Sequence, residues 1–136
     1  MSIWFAADTP PTTDSYIHLG VNESVNNFAV MSNVSGDYAP AGKATMVATT
    51  TGTNTTEADM RNTLQDWFGD QVMHWTTLDV QQIRKAQPDI APGTQRVLAA
   101  NSDDNIVMAG DHLADASING ALESGKAAAK LCVQGL

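Results

Sequence analysis

One stretch, residues 106–125, constrains the fold more than any other. An apolar run, Ile106-Val107-Met108-Ala109, stops at Gly110-Asp111, passes through His112-Leu113-Ala114-Asp115-Ala116, and at Ser117 enters a segment of helical period. Four consecutive apolar residues closed by a glycine read as a short strand. The helix that follows is read to run to about Val133. Its polar side carries Asn119, Glu123, Lys126, Lys130 and Gln134, and its other side Ile118, Ala121, Leu122, Gly125, Ala129 and Cys132. Small residues at Gly120, Ala121, Ser124, Gly125 and Ala128 allow another backbone, or a flat ligand, to approach closely.

This unit has a chemistry. The first amides of a helix have no carbonyl partner within it and lie at its positive end, which favours a phosphate or an electron-rich carbonyl. Asp111, at the end of a strand, accepts hydrogen bonds from sugar-like hydroxyls, since an ionised carboxylate has no donor of its own. Strand, acidic residue and helix entrance together make a polyol clasp beside a phosphate-friendly helix end. A second reading stands beside it, in which the helix simply packs tightly on a sheet and Asp111 caps a turn.

The rest of the chain reads as strands first. Residues 3–7 form an apolar run closed by Asp8 and Pro10-Pro11; 16–20 and 28–34 are further strand candidates. Residues 35–42 are a loop punctuated by glycine and proline, and 43–50 return to strand character through Val47 and several threonines. A helix follows, capped by Thr55 or Thr56 with Asp59 three places beyond Thr56. Met60, Leu64, Trp67 and Phe68 line one side as core, and Gly69 stops it. Residues 71–78 read as another strand, and 79–96, with Pro88 and Pro92, as irregular.

The C-terminal unit resembles the flavin-binding motif of the amine oxidase and phytoene desaturase superfamily: an apolar strand, Gly-Asp, then Ser-Ile-x-Gly-Ala-x-x-Ser-Gly. Here these are Gly110, Asp111, Ser117, Ile118, Gly120, Ala121, Ser124 and Gly125. Upstream, residues 28–42, the run Leu64-Gln65-Asp66-Trp67-Phe68-Gly69 with Val72 and Trp75, and more loosely 83–88, resemble the substrate domain of phytoene-desaturase-like oxidoreductases. The resemblance implies an α+β fold: an antiparallel substrate-domain sheet with helices, plus the terminal strand and helix of an FAD-binding domain. It implies a partial substrate-binding domain over 1–100 and an FAD-binding segment over 101–136.

The resemblance also implies roles. Asp111 meets the ribityl or pyrophosphate side of FAD. Gly110 and Ser117 frame the site, the backbone around Ile118, Asn119 and Gly120 meets the pyrimidine side of the isoalloxazine, and Ala121 leaves room. Members of this superfamily begin with G-x-G-x-x-G, which holds the ADP part of FAD. Gly36, Gly42, Gly52 and Gly69 are too dispersed to supply it. The expectation is therefore a C-terminal portion only, incomplete relative to the family. FAD binding by this chain alone would be weak or absent, with a separate N-terminal flavoprotein segment completing it, and self-association is expected to cover the apolar surface that the missing segment would expose. The alternative is a noncatalytic structural or interaction remnant of the same fold.

Composition removes several other classes. Fifteen acidic against seven basic residues give a formal charge of −8, the wrong sign for a phosphate backbone, so no nucleic-acid partner is expected. Cys132 is the only cysteine, and the three histidines are scattered, so no disulfide and no metal site is expected. The opening MSIWFAADTPP has no basic stretch before an apolar run, and no transmembrane span is read, so a cytoplasmic protein is expected. Three Asn-x-Ser/Thr triplets, at Asn22, Asn33 and Asn54, read as chance.

No acid–base dyad or nucleophile triad is evident, and the catalytic residues stay unassigned. His112, following Asp111, faces either the flavin region or a loop. His18 and His74 read as structural or surface residues, and Cys132 as buried packing. Tyr38 and Trp75 read either as contacts to an apolar small-molecule substrate or as core.

Overall fold

The computed structural model describes every residue except Asn22, Thr53, Asp89, 94–95, 102–105 and 135–136, together with the side chains of Ala100 and Asn101. Asn22, of the first Asn-x-Ser triplet, and part of the 79–96 stretch thus lie outside the described residues. The chain forms two compact units, Met1–Arg84 and Lys85–Leu136.

The first unit is built on a five-stranded antiparallel sheet. Its strands are β1 (Ser2–Ala7), β2 (His18–Leu19), β3 (Asn27–Val30), β4 (Ala44–Thr49) and β5 (Thr76–Gln81), in the order β2-β3-β4-β1-β5. Side chains alternate across a strand, so one face can be apolar throughout. Ile3 and Phe5 of β1, Phe28 and Val30 of β3, and Ala44, Met46 and Ala48 of β4 occupy that face and are buried. The register pairs large with small: Ala48 lies opposite both Ile3 and Phe28. Its methyl leaves space for two large neighbours.

Helix α2 (Glu57–Phe68) covers this face with Met60 and Leu64, both fully buried. It begins where the sequence says it should. Thr56 Oγ1 accepts from the Asp59 amide at 3.2 Å, and Asp59 Oδ2 accepts from the Thr56 amide at 2.9 Å. This reciprocal box satisfies two orphan donors of the helix start. The bonds from Thr56 also hold the Asp59 carboxyl below its ordinary range. Gly69 ends the helix at φ 76°, a left-handed conformation that side chains disfavour.

Two expected strands turn out differently. Residues 28–34 split into β3 and a one-turn helix, α1 (Met31–Val34). The cause is capture by groups distant in sequence: Asn33 Nδ2 donates to the carbonyls of Thr12 and Asp14, each at 2.8 Å, and Ser32 Oγ accepts from the Thr45 amide at 3.3 Å. Residues 71–78 likewise split into a 3-10 turn (Asp70–His74) followed by β5. The turn drives Val72 fully into the core. β5 also takes in Asp79, Val80 and Gln81, so the irregular stretch begins later than expected.

Aromatic rings fill the space between sheet and helix. Phe28 stacks on Trp75 at 5.8 Å and 16°, and lies 4.8 Å from Phe68; Phe5 meets Trp75 at 5.7 Å. Such contacts add to area burial, about 0.5–1.5 kcal/mol for a well-placed pair. Arg61 ties α2 to the turn and to β5. Its guanidinium donates to the carbonyls of Val72 and Trp75, to Thr77 Oγ1 and to Glu57 Oε1, at 2.7–3.1 Å, and lies over the Phe5 ring.

The second unit is thinner. Strands β6 (Ala100–Asn101) and β7 (Val107–Met108) pair antiparallel, and α3 (Ile118–Gln134) follows. Among its described residues the buried ones are Ala114, Gly120 and Ser124. Among the described residues no helix is long and apolar enough to cross a membrane.

Candidate functional site

The expected site residues lie in the second unit, along a strand, a tight turn and a helix entrance. β7 ends before Gly110, and the chain then folds back: the Leu113 amide donates to the Gly110 carbonyl and the Ala114 amide to the Asp111 carbonyl, each at 3.2 Å. Val97 binds the Leu113 carbonyl at 3.0 Å, which ties the turn to the segment before β6. Asp111 is half-buried at the head of this turn. Its carboxylate has no hydrogen bond or salt bridge to any described residue. The neighbouring Asp115 is engaged, since Arg96 lies 3.5 Å from it.

Ser117 starts α3. Its hydroxyl accepts from the Gly120 amide at 3.0 Å and its carbonyl from the Ala121 amide at 3.0 Å. That is an ordinary serine cap. Helix geometry leaves the amides of Ile118 and Asn119 without a carbonyl in their own helix. Ile118 is 82% exposed, and Asn119 and Ala121 are exposed beside it, so this corner is open. Asp111 thus offers an acceptor carboxylate, and the start of α3 offers the amide donors of Ile118 and Asn119.

Of two crowded glycines, one is dictated by space. A Cβ on Gly120 would lie 2.0 Å from the Asp115 carbonyl oxygen, and one on Gly110 would lie 2.5 Å from Nδ1 of His112. The first clash is with backbone and cannot be relieved by a rotamer. Gly120 is thus the residue that lets α3 lie against the 110–117 turn.

The helix faces differ from the sequence reading. The side carrying Ile118, Ala121, Leu122, Gly125, Ala129 and Cys132 is exposed, while Gly120 and Ser124 are buried, one turn apart. Small size and hydrogen bonding decide the packed face here, not hydrophobicity. Ser124 is fully buried; its Oγ accepts from the Gly110 amide at 2.8 Å and donates to the Leu98 carbonyl. The sequence placed Ser124 among the small residues and within the flavin-binding motif, but with no role of its own. The available signal was its spacing of four from Gly120, which puts both on one face. Cys132 is exposed rather than buried packing.

Other candidates separate cleanly. Trp75, 5% exposed, belongs to the aromatic core, whereas Tyr38 is 56% exposed. His74 and His112 are exposed. His18 sits partly buried among Tyr16, Phe28 and Phe68, with its Nε2 unpaired and 3.7 Å from Asp14. With Leu19, Trp67 and Phe68 it lines an open recess of about 360 Å³ in the first unit. Among the described residues no group of three or more His, Cys, Asp or Glu is placed to hold a metal ion.

The model of the family described as flavin containing amine oxidoreductase matches residues 2–133. The chain belongs to this family. The amine oxidoreductase match corrects the expectation of a C-terminal portion only, and with it the expectation of a fold incomplete relative to the family. The match begins at β1, which is no peripheral remnant: β1 lies between β4 and β5, at the heart of the sheet. What the C-terminal motif had made legible was one end of a likeness that extends through both units of the amine oxidoreductase domain. No curated protein and no solved structure matches the chain.

Proposed function

We propose that this amine oxidoreductase domain binds FAD at the Gly110–Ala121 corner and serves a flavin-dependent oxidation. The family match over residues 2–133 carries the reading. The open corner, where the Asp111 carboxylate has no hydrogen bond or salt bridge to a described residue, supports it. FAD, when bound, supplies the two-electron acceptor. The chain's own residues do the holding. Asp111 accepts hydrogen bonds from ribityl hydroxyls, and the Ile118 and Asn119 amides donate to phosphate or to a ring carbonyl. Ser117 and Gly120 fix the helix start, Gly110 turns the chain toward it, and Ala121 keeps the approach clear.

In this reading residues 101–136 carry the flavin contacts and residues 1–100 the substrate-facing part. The likeness of residues 28–42 to phytoene-desaturase-like proteins favours an apolar substrate over a charged one.

The 136 residues contain no G-x-G-x-x-G run, and the contacts named above are all to the part that FAD and FMN share, so the two should bind within about tenfold of each other. Titration of the purified chain, followed by quenching of flavin fluorescence, tests this. Saturable quenching by both flavins, weakened in Asp111→Asn, is the expected result. No saturable quenching up to about 1 mM protein would contradict the reading.

A further inference from the structure

Ser124 sits in an unusual position for a helix serine. It is fully buried, and its single hydroxyl uses both of its capacities: it accepts from the Gly110 amide at 2.8 Å and donates to the Leu98 carbonyl. A serine inside a helix commonly turns its hydroxyl back to its own helix. This one reaches two separate segments, 14 and 26 residues away in sequence. One turn earlier on the same face, Gly120 lies flush against the backbone of Asp115. The 110–117 turn is therefore gripped at its start by Ser124 and near its end by Gly120, with Asp111 held one residue beyond the first grip.

We infer that Ser124 is a positioning residue for ligand recognition: it fixes the Gly110 peptide, and through it the direction in which Asp111 presents its carboxylate to the flavin. The inference rests on the flavin reading above. Ser124 itself is buried beneath the corner and touches no ligand. A carboxylate at the end of a freely rotating turn loses the orientation that makes a bidentate clasp of vicinal hydroxyls favourable, and that lost pre-organisation appears as lost affinity.

The test is a double-mutant cycle on the full chain, with FAD as the probe, comparing wild type, Ser124→Ala, Asp111→Ala and the double variant. Ser124→Ala is expected to weaken FAD about tenfold. In the Asp111→Ala background the same change is expected to have less than about a threefold effect, because its action runs through Asp111. A purely structural serine would give the same loss in both backgrounds, and that additivity would overturn the inference. Full affinity in Ser124→Ala would overturn it as well. A wild-type chain that binds no flavin would overturn the inference together with the flavin reading, whereas a wild-type chain that binds, and loses affinity in Asp111→Ala alone, would overturn only the role of Ser124. Amide exchange at Gly110, measured without flavin, supplies a second readout: faster exchange in Ser124→Ala is expected, and an unchanged rate contradicts the grip. Should Ser124→Ala fail to fold by circular dichroism, Ser124→Cys, close in volume but a weaker hydrogen-bonding partner, takes its place in the same cycle with the same two decisive outcomes.

Discussion

The two units solve the packing problem in opposite ways. Met1–Arg84 is held by side-chain volume: Phe5, Phe28, Met46, Met60, Leu64 and Val72 are all fully buried in one cluster, with Trp75 closing it. Lys85–Leu136 is held by its backbone and by small residues. Its contacts turn on Gly120, Ser124 and Ala114, while Ile118, Leu122 and Val133 lie 67–88% exposed. The comparison teaches where rigidity and openness lie. A core of interlocking rings resists change throughout, whereas a clamped turn with an exposed helix start leaves a corner open to solvent.

The sharpest way to break the comparison is to remove volume from the first unit. Phe28→Ala deletes a ring that contacts Phe68 and Trp75, and should cost about 3–5 kcal/mol, read from chemical denaturation. An equally large loss from trimming exposed Leu122 in the second unit would contradict the contrast.

Adding a single methyl probes the second unit. Gly120→Ala puts a carbon 2.0 Å from the Asp115 carbonyl, so helix and turn must separate. The expected cost is about 1–3 kcal/mol, with faster amide exchange confined to residues 110–121. In an open, exposed part of a helix the same change is usually favourable. Gly125, with nothing near its Cβ position, is the matched control: Gly125→Ala should stabilise by up to about 1 kcal/mol.

The smallest effect is one of pH. Hydrogen bonds from Thr77 and Arg61 hold the Glu57 carboxyl below its ordinary value of 4.5. A carboxyl depressed in the folded state adds stability above its unfolded value, and that stability is lost as pH falls through the lower folded value. The first unit should thus weaken below about pH 4.5, and Glu57→Gln should flatten that part of the curve. The change should stay under about 1 kcal/mol, because the Glu57 side chain is a third exposed to water.

Legibility in the sequence follows the same divide. Where one residue type forces one geometry, the sequence could be read: the Thr56–Asp59 box, the Gly69 stop, the strand character of β1 and β4, and the order of strand, Gly-Asp and helix at the C-terminus. Where distant polar groups decide, it could not. Asn33 turns an apparent strand into α1 by binding carbonyls 19 and 21 residues away. Val72 pulls an apparent strand into a turn by filling the core. Helical periodicity in α3 placed the apolar residues inward, but a helix held by Gly120 and Ser124 turns that side out, Cys132 included. At the site, Asp111, the entrance at Ser117 and Ser124 could be named from their motif, while the bonds that Ser124 makes to Gly110 and Leu98 could not be read from it.

Flavin titration of the intact chain tests the central claim most directly. The account predicts saturable quenching of FAD fluorescence by wild-type protein, with at least about tenfold weaker binding in Asp111→Asn. Wild type and Asp111→Asn binding FAD equally well, or neither binding it, would contradict it.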